Sequence, residues 1–162
     1  NGVPLLRTYP NLVVTRTFSK IYGLAGMRVG YSISSQEIAE ILNRIRQPFN
    51  VNVVGYAAAT VGLKHQEFVY ESRQLNKDEM NRIYKILEQL KLNWIPSVGN
   101  FIAIELEQKA DLIVQHMLKN GVIVRPVDNY GMPNHIRMTI GLEEENNRAL
   151  HALQTALAEC SG

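Results

Sequence analysis

Residues 15–31 read Thr15-Arg16-Thr17-Phe18-Ser19-Lys20-Ile21-Tyr22-Gly23-Leu24-Ala25-Gly26-Met27-Arg28-Val29-Gly30-Tyr31, and this stretch decides how the rest of the chain is read. It sets one lysine, Lys20, just behind two hydroxyl residues, Thr17 and Ser19, and eight positions before Arg28. A lysine that acts as a nucleophile must be a neutral amine, and burial beside another cation drives it toward that state. Hydroxyls and an arginine supply what a bound phosphate takes: short donors and a planar fork for bidentate hydrogen bonding. A nucleophilic amine and a phosphate cradle in one turn suit pyridoxal 5'-phosphate, whose aldehyde joins a lysine and whose phosphate needs an anchor. The same residues also read as a Gly-rich turn with a solvated lysine and arginine. Residue types alone leave both readings open.

The wording of the segment adds to this. Ser19-Lys20 followed by Gly23-Leu24-Ala25-Gly26-Met27-Arg28-Val29-Gly30-Tyr31 resembles the Schiff-base lysine segment of fold-type I pyridoxal-phosphate aminotransferases. Its Gly-Leu-Ala-Gly-x-Arg phrase is most similar to that of the histidinol-phosphate aminotransferases. The resemblance implies that Lys20 forms the Schiff base and that Ser19 and Arg28 hold the cofactor phosphate. Thr17 is a further phosphate ligand on the same basis, since many relatives place a hydroxyl three residues before the lysine.

Composition frames the fold. A chain of 162 residues can bury one real core in one or two lobes, and 46% hydrophobic with 20% charged residues is ordinary for a globular protein. The net charge of +2, with its positive residues scattered, argues against nucleic acid or an anionic membrane as partner. The lone Cys160 excludes an internal disulfide and fits a reducing, cytoplasmic setting. The longest uncharged stretch, Gln47 to Leu63, is too short and too polar to span a bilayer. The opening Asn1-Gly2-Val3-Pro4, without an initiator methionine, reads as a piece of a longer protein.

The order of periodic segments predicts an α/β chain. Leu12-Val13-Val14 and Met27 to Ile33 read as strands flanking the Lys20 loop. Ser34 or Ser35 caps a helix from Gln36 to about Arg46, and the Ala- and Val-rich residues 49–63 predict a buried helix. Met80, Ile83, Leu87 and Leu90 recur at helical spacing in a long helix from about His65 to Lys91. Phe101 to Leu106, Val122 to Val124 and His135 to Ile140 read as strands. Between them lies a helix over 109–119, closed by Asn120-Gly121. Glu143-Glu144-Glu145 opens a last helix carrying Leu150, Leu153 and Leu157. The boundary between two lobes falls in the long helix, giving 1–70 and 71–162.

Arg125 and Arg137 each sit at or in an apolar run, where a strand-borne guanidinium can clamp a carboxylate or phosphate. An edge-strand arginine facing water is the bland reading. Arg137-Met138-Thr139-Ile140-Gly141 resembles the Arg-x-Thr-x-Gly segment of the same family, with Arg125 in its preceding Gly-x-x-x-Arg segment. That implies Arg137 on the substrate's carboxylate or phosphate, with Arg125 assisting. Pro48-Phe49-Asn50-Val51-Asn52 resembles the family segment that approaches the neighbouring subunit, although Asn50 reads equally as a helix cap. Tyr22, Tyr31 and Tyr130 are possible phosphate donors, more often packed. The four histidines lack metal-ligand spacing, so no metal is expected, and His116 reads as packed against a core.

The resemblance covers the whole chain as the C-terminal part of a fold-type I enzyme: the end of the large-domain sheet, a long connecting helix and a small α/β domain. It implies a homodimer and amine transfer between histidinol phosphate and 2-oxoglutarate in histidine biosynthesis. The residues that hold the cofactor's ring would precede Asn1, so this piece alone is expected to be inactive. An aromatic or aspartate aminotransferase, a threonine-phosphate decarboxylase, or a non-catalytic dimerisation module remain as alternatives.

Overall fold

Strand β1 (Val14–Thr17) begins two residues later than its apolar run, because the Leu12 amide is spent closing a turn onto the Tyr9 carbonyl at 3.1 Å. In the computed structural model, which describes residues 1–107 and 109–160, the chain divides into two compact units, Asn1–Arg73 and Gln74–Gly162. In the first unit β1 pairs antiparallel with β2 (Gly30–Ile33), Val14 opposite Ile33 and Thr17 opposite Gly30. The strand expected from Met27 starts only at Gly30. Ala25–Met27 is instead a 3-10 turn, and Arg28 takes a left-handed conformation at φ 56°. Helix α1 (Gln36–Ile45) is capped by Ser35, whose hydroxyl accepts from the Ile38 amide at 3.5 Å.

Helix α2 (Val53–Lys64) corrects two expectations. Its cap is Asn52, which accepts from the Gly55 amide at 2.7 Å, while Asn50 accepts from Arg46. Nor is the helix buried: within it only Gly55 and Ala59 are, and Val53 and Val54 are 84% and 66% exposed. The first unit's own core is small: Phe18 and Val29 meet Ala59 of this helix, with Tyr22, Leu24 and Met27 packed around them. Little of an all-round apolar helix can be covered by so few side chains.

Helix α3 (Gln66–Gln89) runs from the first unit into the second. The second unit is a four-stranded antiparallel sheet in the order β3-β4-β6-β5, from β3 (Trp94–Ile95), β4 (Phe101–Glu105), β5 (Arg125–Val127) and β6 (Met132–Thr139). Strands alternate faces. One face buries Ile102, Ile104, Ile136 and Met138 against α3, α4 (Ala110–Lys119) and α5 (Glu143–Cys160). Ile83, Leu87, Ile113 and Leu153 are fully enclosed there, each worth about 1.5–3 kcal/mol of transfer free energy. Among the described residues no helix is long and apolar enough to cross a membrane.

Two sequence readings fail in this unit for local reasons. Val122–Val124 is not a strand, because the Val122 amide bonds back to the Met117 carbonyl and the Gly121 amide to Leu118, both at 2.9 Å. That double closure, with Gly121 at φ 72°, ends α4 and leaves pairing to start at Arg125. His116 is half-exposed rather than packed in the core, and its Nδ1 lies 2.9 Å from Glu159 on α5.

Candidate functional site

The loop carrying Lys20 is held at both ends by the β1–β2 ladder. The Phe18 amide donates to the Val29 carbonyl at 3.1 Å, continuing the Thr17–Gly30 register by one step. Ser19 and Arg28 lie one residue beyond that bond on either side of the loop. Phe18 is buried, and its ring lies 4.9 Å from that of Tyr22, so aromatic packing pins the chain on either side of Lys20. The Gly23 amide closes a turn on the Lys20 carbonyl at 2.8 Å, with Gly23 at φ 67°, a conformation glycine adopts without cost.

Around this turn the hydroxyls converge. Thr17 donates from Oγ1 to the Ser19 hydroxyl at 2.8 Å, and the Ser19 amide donates to Thr17 Oγ1 at 3.0 Å. Arg28 spends one Nη1 donor on the Ala25 carbonyl at 2.9 Å. A non-glycine residue in left-handed backbone costs on the order of 1–3 kcal/mol and persists where the surroundings insist on it. Here Asn52, the α2 cap, supplies that insistence by donating Nδ2 to the Met27 carbonyl at 2.9 Å. Two hydroxyls and one guanidinium are a donor set that fits a phosphate. Lys20 itself is exposed, so the burial expected for a neutral amine does not come from these residues.

In the second unit, Arg125 and Arg137 are directly opposed across the β5–β6 pair, and Ala103 lies opposite Arg137 on β4. Opposed residues share a face, here the sheet face turned away from the helices. Like charges in that relation repel. Yet among the described residues neither guanidinium has an ion pair or a side-chain hydrogen bond; that of Arg137 lies over the Phe101 ring, 5.0 Å from its centroid. Two cations at opposed positions without an acidic partner among the described residues form a donor set that fits an anion.

Sequence reading did not find what fixes this strand. Asn146, 1% exposed, accepts from the Gly141 amide and donates to the Gly141 carbonyl, both at 2.9 Å, just past β6. Its amide also donates to Glu79 Oε2 at 2.6 Å, and Arg82 grips the same carboxylate with two donors at 2.6 and 2.9 Å. The Arg82 hydrogen bonds hold the Glu79 carboxyl below its ordinary range, against the opposing effect of burial, with Asn146 assisting. Glu79 in turn raises Arg82. A polar residue at a helical core position of α3, and an asparagine in the first turn of α5, were the available signals.

The family described as aminotransferase class I and II matches residues 1–153 of the chain. Histidinol-phosphate aminotransferase 2 of Pseudomonas fluorescens (strain Pf0-1) is 54% identical over 158 residues, covering 98% of this chain. The chain spans 43% of that relative's length. The structure of histidinol-phosphate aminotransferase from Sinorhizobium meliloti in complex with pyridoxal-5'-phosphate superposes with a TM-score of 0.82 at 30% identity, over 93% of this chain and 42% of the other. That from Clostridium acetobutylicum reaches 0.91 over 98% of this chain and 49% of the other, at 24% identity, a likeness of fold.

Proposed function

Because this chain belongs to the aminotransferase class I and II family, we propose that it is the C-terminal part of a pyridoxal-phosphate-dependent histidinol-phosphate aminotransferase. On this reading the whole enzyme, a cytoplasmic homodimer, moves an amine between histidinol phosphate and 2-oxoglutarate in histidine biosynthesis. Residues 1–70 complete the large cofactor-binding domain, and residues 71–162 form the small domain. The observation that carries the substrate class is the cross-strand pair Arg125 and Arg137, which among the described residues has no acidic partner. Histidinol phosphate has no α-carboxylate, so its phosphate and the carboxylates of 2-oxoglutarate must share cationic anchors. The 54% identity to a relative named for this activity supports the same choice.

Pyridoxal phosphate, when bound, supplies an electron sink beside the substrate's α-carbon. The chain's own residues divide the remaining work. Thr17, Ser19 and Arg28 hold the phosphate through short charge-assisted hydrogen bonds. Arg125 and Arg137 hold the anionic end of either substrate. Lys20 Nζ, as a free amine, would take the proton from the substrate carbon that bears the amine, acting as general base and then as general acid. The 162 residues span 43% of the length of a relative named for this activity, and on this reading they are inactive alone.

The test is substrate profiling of the full-length protein. Histidinol phosphate should be turned over and dephosphorylated histidinol should be poor. Arg137→Ala should weaken both half-reactions by roughly 2–4 kcal/mol in kcat/KM, the range for removing one partner of a desolvated charge pair. Equal turnover of histidinol and its phosphate, or intact half-reactions in Arg137→Ala, would refute the assignment in favour of an aromatic or general aminotransferase.

A further inference from the structure

Arg137 differs from most strand arginines in what holds it. Among the described residues its guanidinium has no carboxylate and no carbonyl, only the Phe101 ring 5.0 Å away. The register explains the contact: Phe101 faces Thr139 and Ala103 faces Arg137, so the ring lies diagonally across from the arginine on the open face of the sheet. Diagonal neighbours on adjacent strands are within reach of an aromatic side chain and a long one. A ring attracts a cation through its face and takes up none of the five N–H donors. A carboxylate in the same place would occupy the fork and cancel its charge.

The ring is itself held. A methyl group built on Gly99 would stand 3.3 Å from Phe101 Cε1, so the loop before β4 passes tight against the ring's edge. That loop is tied to α3: Asn76 donates to the Gly99 carbonyl at 3.1 Å, and the Ser97 amide donates to the Tyr84 hydroxyl at 3.0 Å. Phe101, 39% exposed, thus has one edge against this tied loop and its face toward the Arg137 guanidinium.

We infer that Phe101 is a positioning residue for Arg137, orienting the guanidinium toward the substrate's anion while leaving its donors and its charge available. The inference rests on reading Arg137 as the anion anchor. A preorganised cation lowers the cost of binding an anion equally in ground and transition states, and such uniform binding shows in KM rather than in kcat.

The experiment is steady-state kinetics of the full-length holoenzyme with histidinol phosphate and 2-oxoglutarate, alongside the affinity for an unreactive dicarboxylate, succinate, followed by calorimetry. Phe101→Leu, which keeps apolar bulk and removes the ring, should raise both KM values and the succinate dissociation constant roughly two- to fivefold, the scale of an exposed cation–π contact. The kcat and the retention of cofactor on dilution should not move. Phe101→Tyr should restore wild-type values, and Phe101→Leu added to Arg137→Ala should change nothing further. Phe101→Met serves the same comparison if the leucine variant melts early. Wild-type KM values in the leucine and methionine variants, or equal impairment in the tyrosine variant, would overturn the inference. So would an undiminished effect in the Arg137→Ala background. Loss in Arg137→Ala with silence at Phe101 sinks only this inference, whereas an Arg137→Ala enzyme with unaltered kinetics sinks the anchor reading itself.

Discussion

Replacing Glu79 tests whether the polar network between α3 and α5 holds the second unit together. Glu79→Ala removes three hydrogen bonds, two from Arg82 and one from Asn146. The two ends of that loss are unequal. The Arg82 side chain is 30% exposed and turns to water, so its part is that of a surface pair, at most about 1 kcal/mol. Asn146 is 1% exposed, and one of its N–H groups is left without a partner, at about 1–3 kcal/mol. The expected cost is therefore about 1–4 kcal/mol. Glu79→Gln keeps an oxygen for Asn146 and gives up the charge and the acceptor facing Arg82 Nε, both on the partly exposed side, so it should fall short of the alanine variant by about 1–3 kcal/mol.

Urea unfolding of the 162-residue chain measures this directly, because its single tryptophan, Trp94, stacks on Tyr84 at 5.2 Å inside the second unit and reports on it alone. The pH dependence has a definite sign. The Glu79 carboxyl is held below its ordinary value of 4.5 in the folded state. Its contribution is then complete above that value and is lost as pH falls through the lower, folded-state value. The gap between wild type and Glu79→Gln should narrow over the same acid range. Equal stability of the alanine and glutamine variants, or a gap indifferent to acid, would refute this account of the network.

Three further outcomes are expected. Arg28→Lys should weaken cofactor retention in the full-length protein by about 1–3 kcal/mol, since the charge stays and the fork is lost. Arg28→Gly should lose affinity as well while relaxing the φ 56° backbone, so its melting temperature should not fall. Gly55→Ala should loosen α2 despite alanine's better helix propensity, because the added methyl would stand 2.6 Å from Val29 Cγ2 and 3.0 Å from the Met27 carbonyl. Faster hydrogen exchange over residues 24–30 is the readout. Leu153→Ala should destabilise the second unit by about 2–5 kcal/mol in the Trp94 assay, as its side chain is fully enclosed between α5 and the sheet.

What could be read from the residues alone was whatever neighbours along the chain determine. The Ser35 cap, the 3.6-residue spacing of Met80, Ile83 and Leu87, the Asn120-Gly121 closure and the acidic start of α5 are all set within a turn or two of helix, and the structure has each of them. The Lys20 segment was legible for the same reason, since its hydroxyls, lysine and arginine lie within a dozen residues. Other features were settled only when distant segments met. The Glu79–Asn146 bond joins residues 67 apart, and the Arg125–Arg137 opposition depends on a strand that starts at Arg125 and not at Val122, whose amide is taken by α4. Phe101 finds Arg137 by the diagonal of an antiparallel pair. The exposure of α2 depends on how little core the first unit offers it. Local hydrogen bonding and periodicity are written in consecutive residues. Register, burial and cross-strand contacts are decided by which backbone groups remain free to pair, and only the folded chain makes that choice.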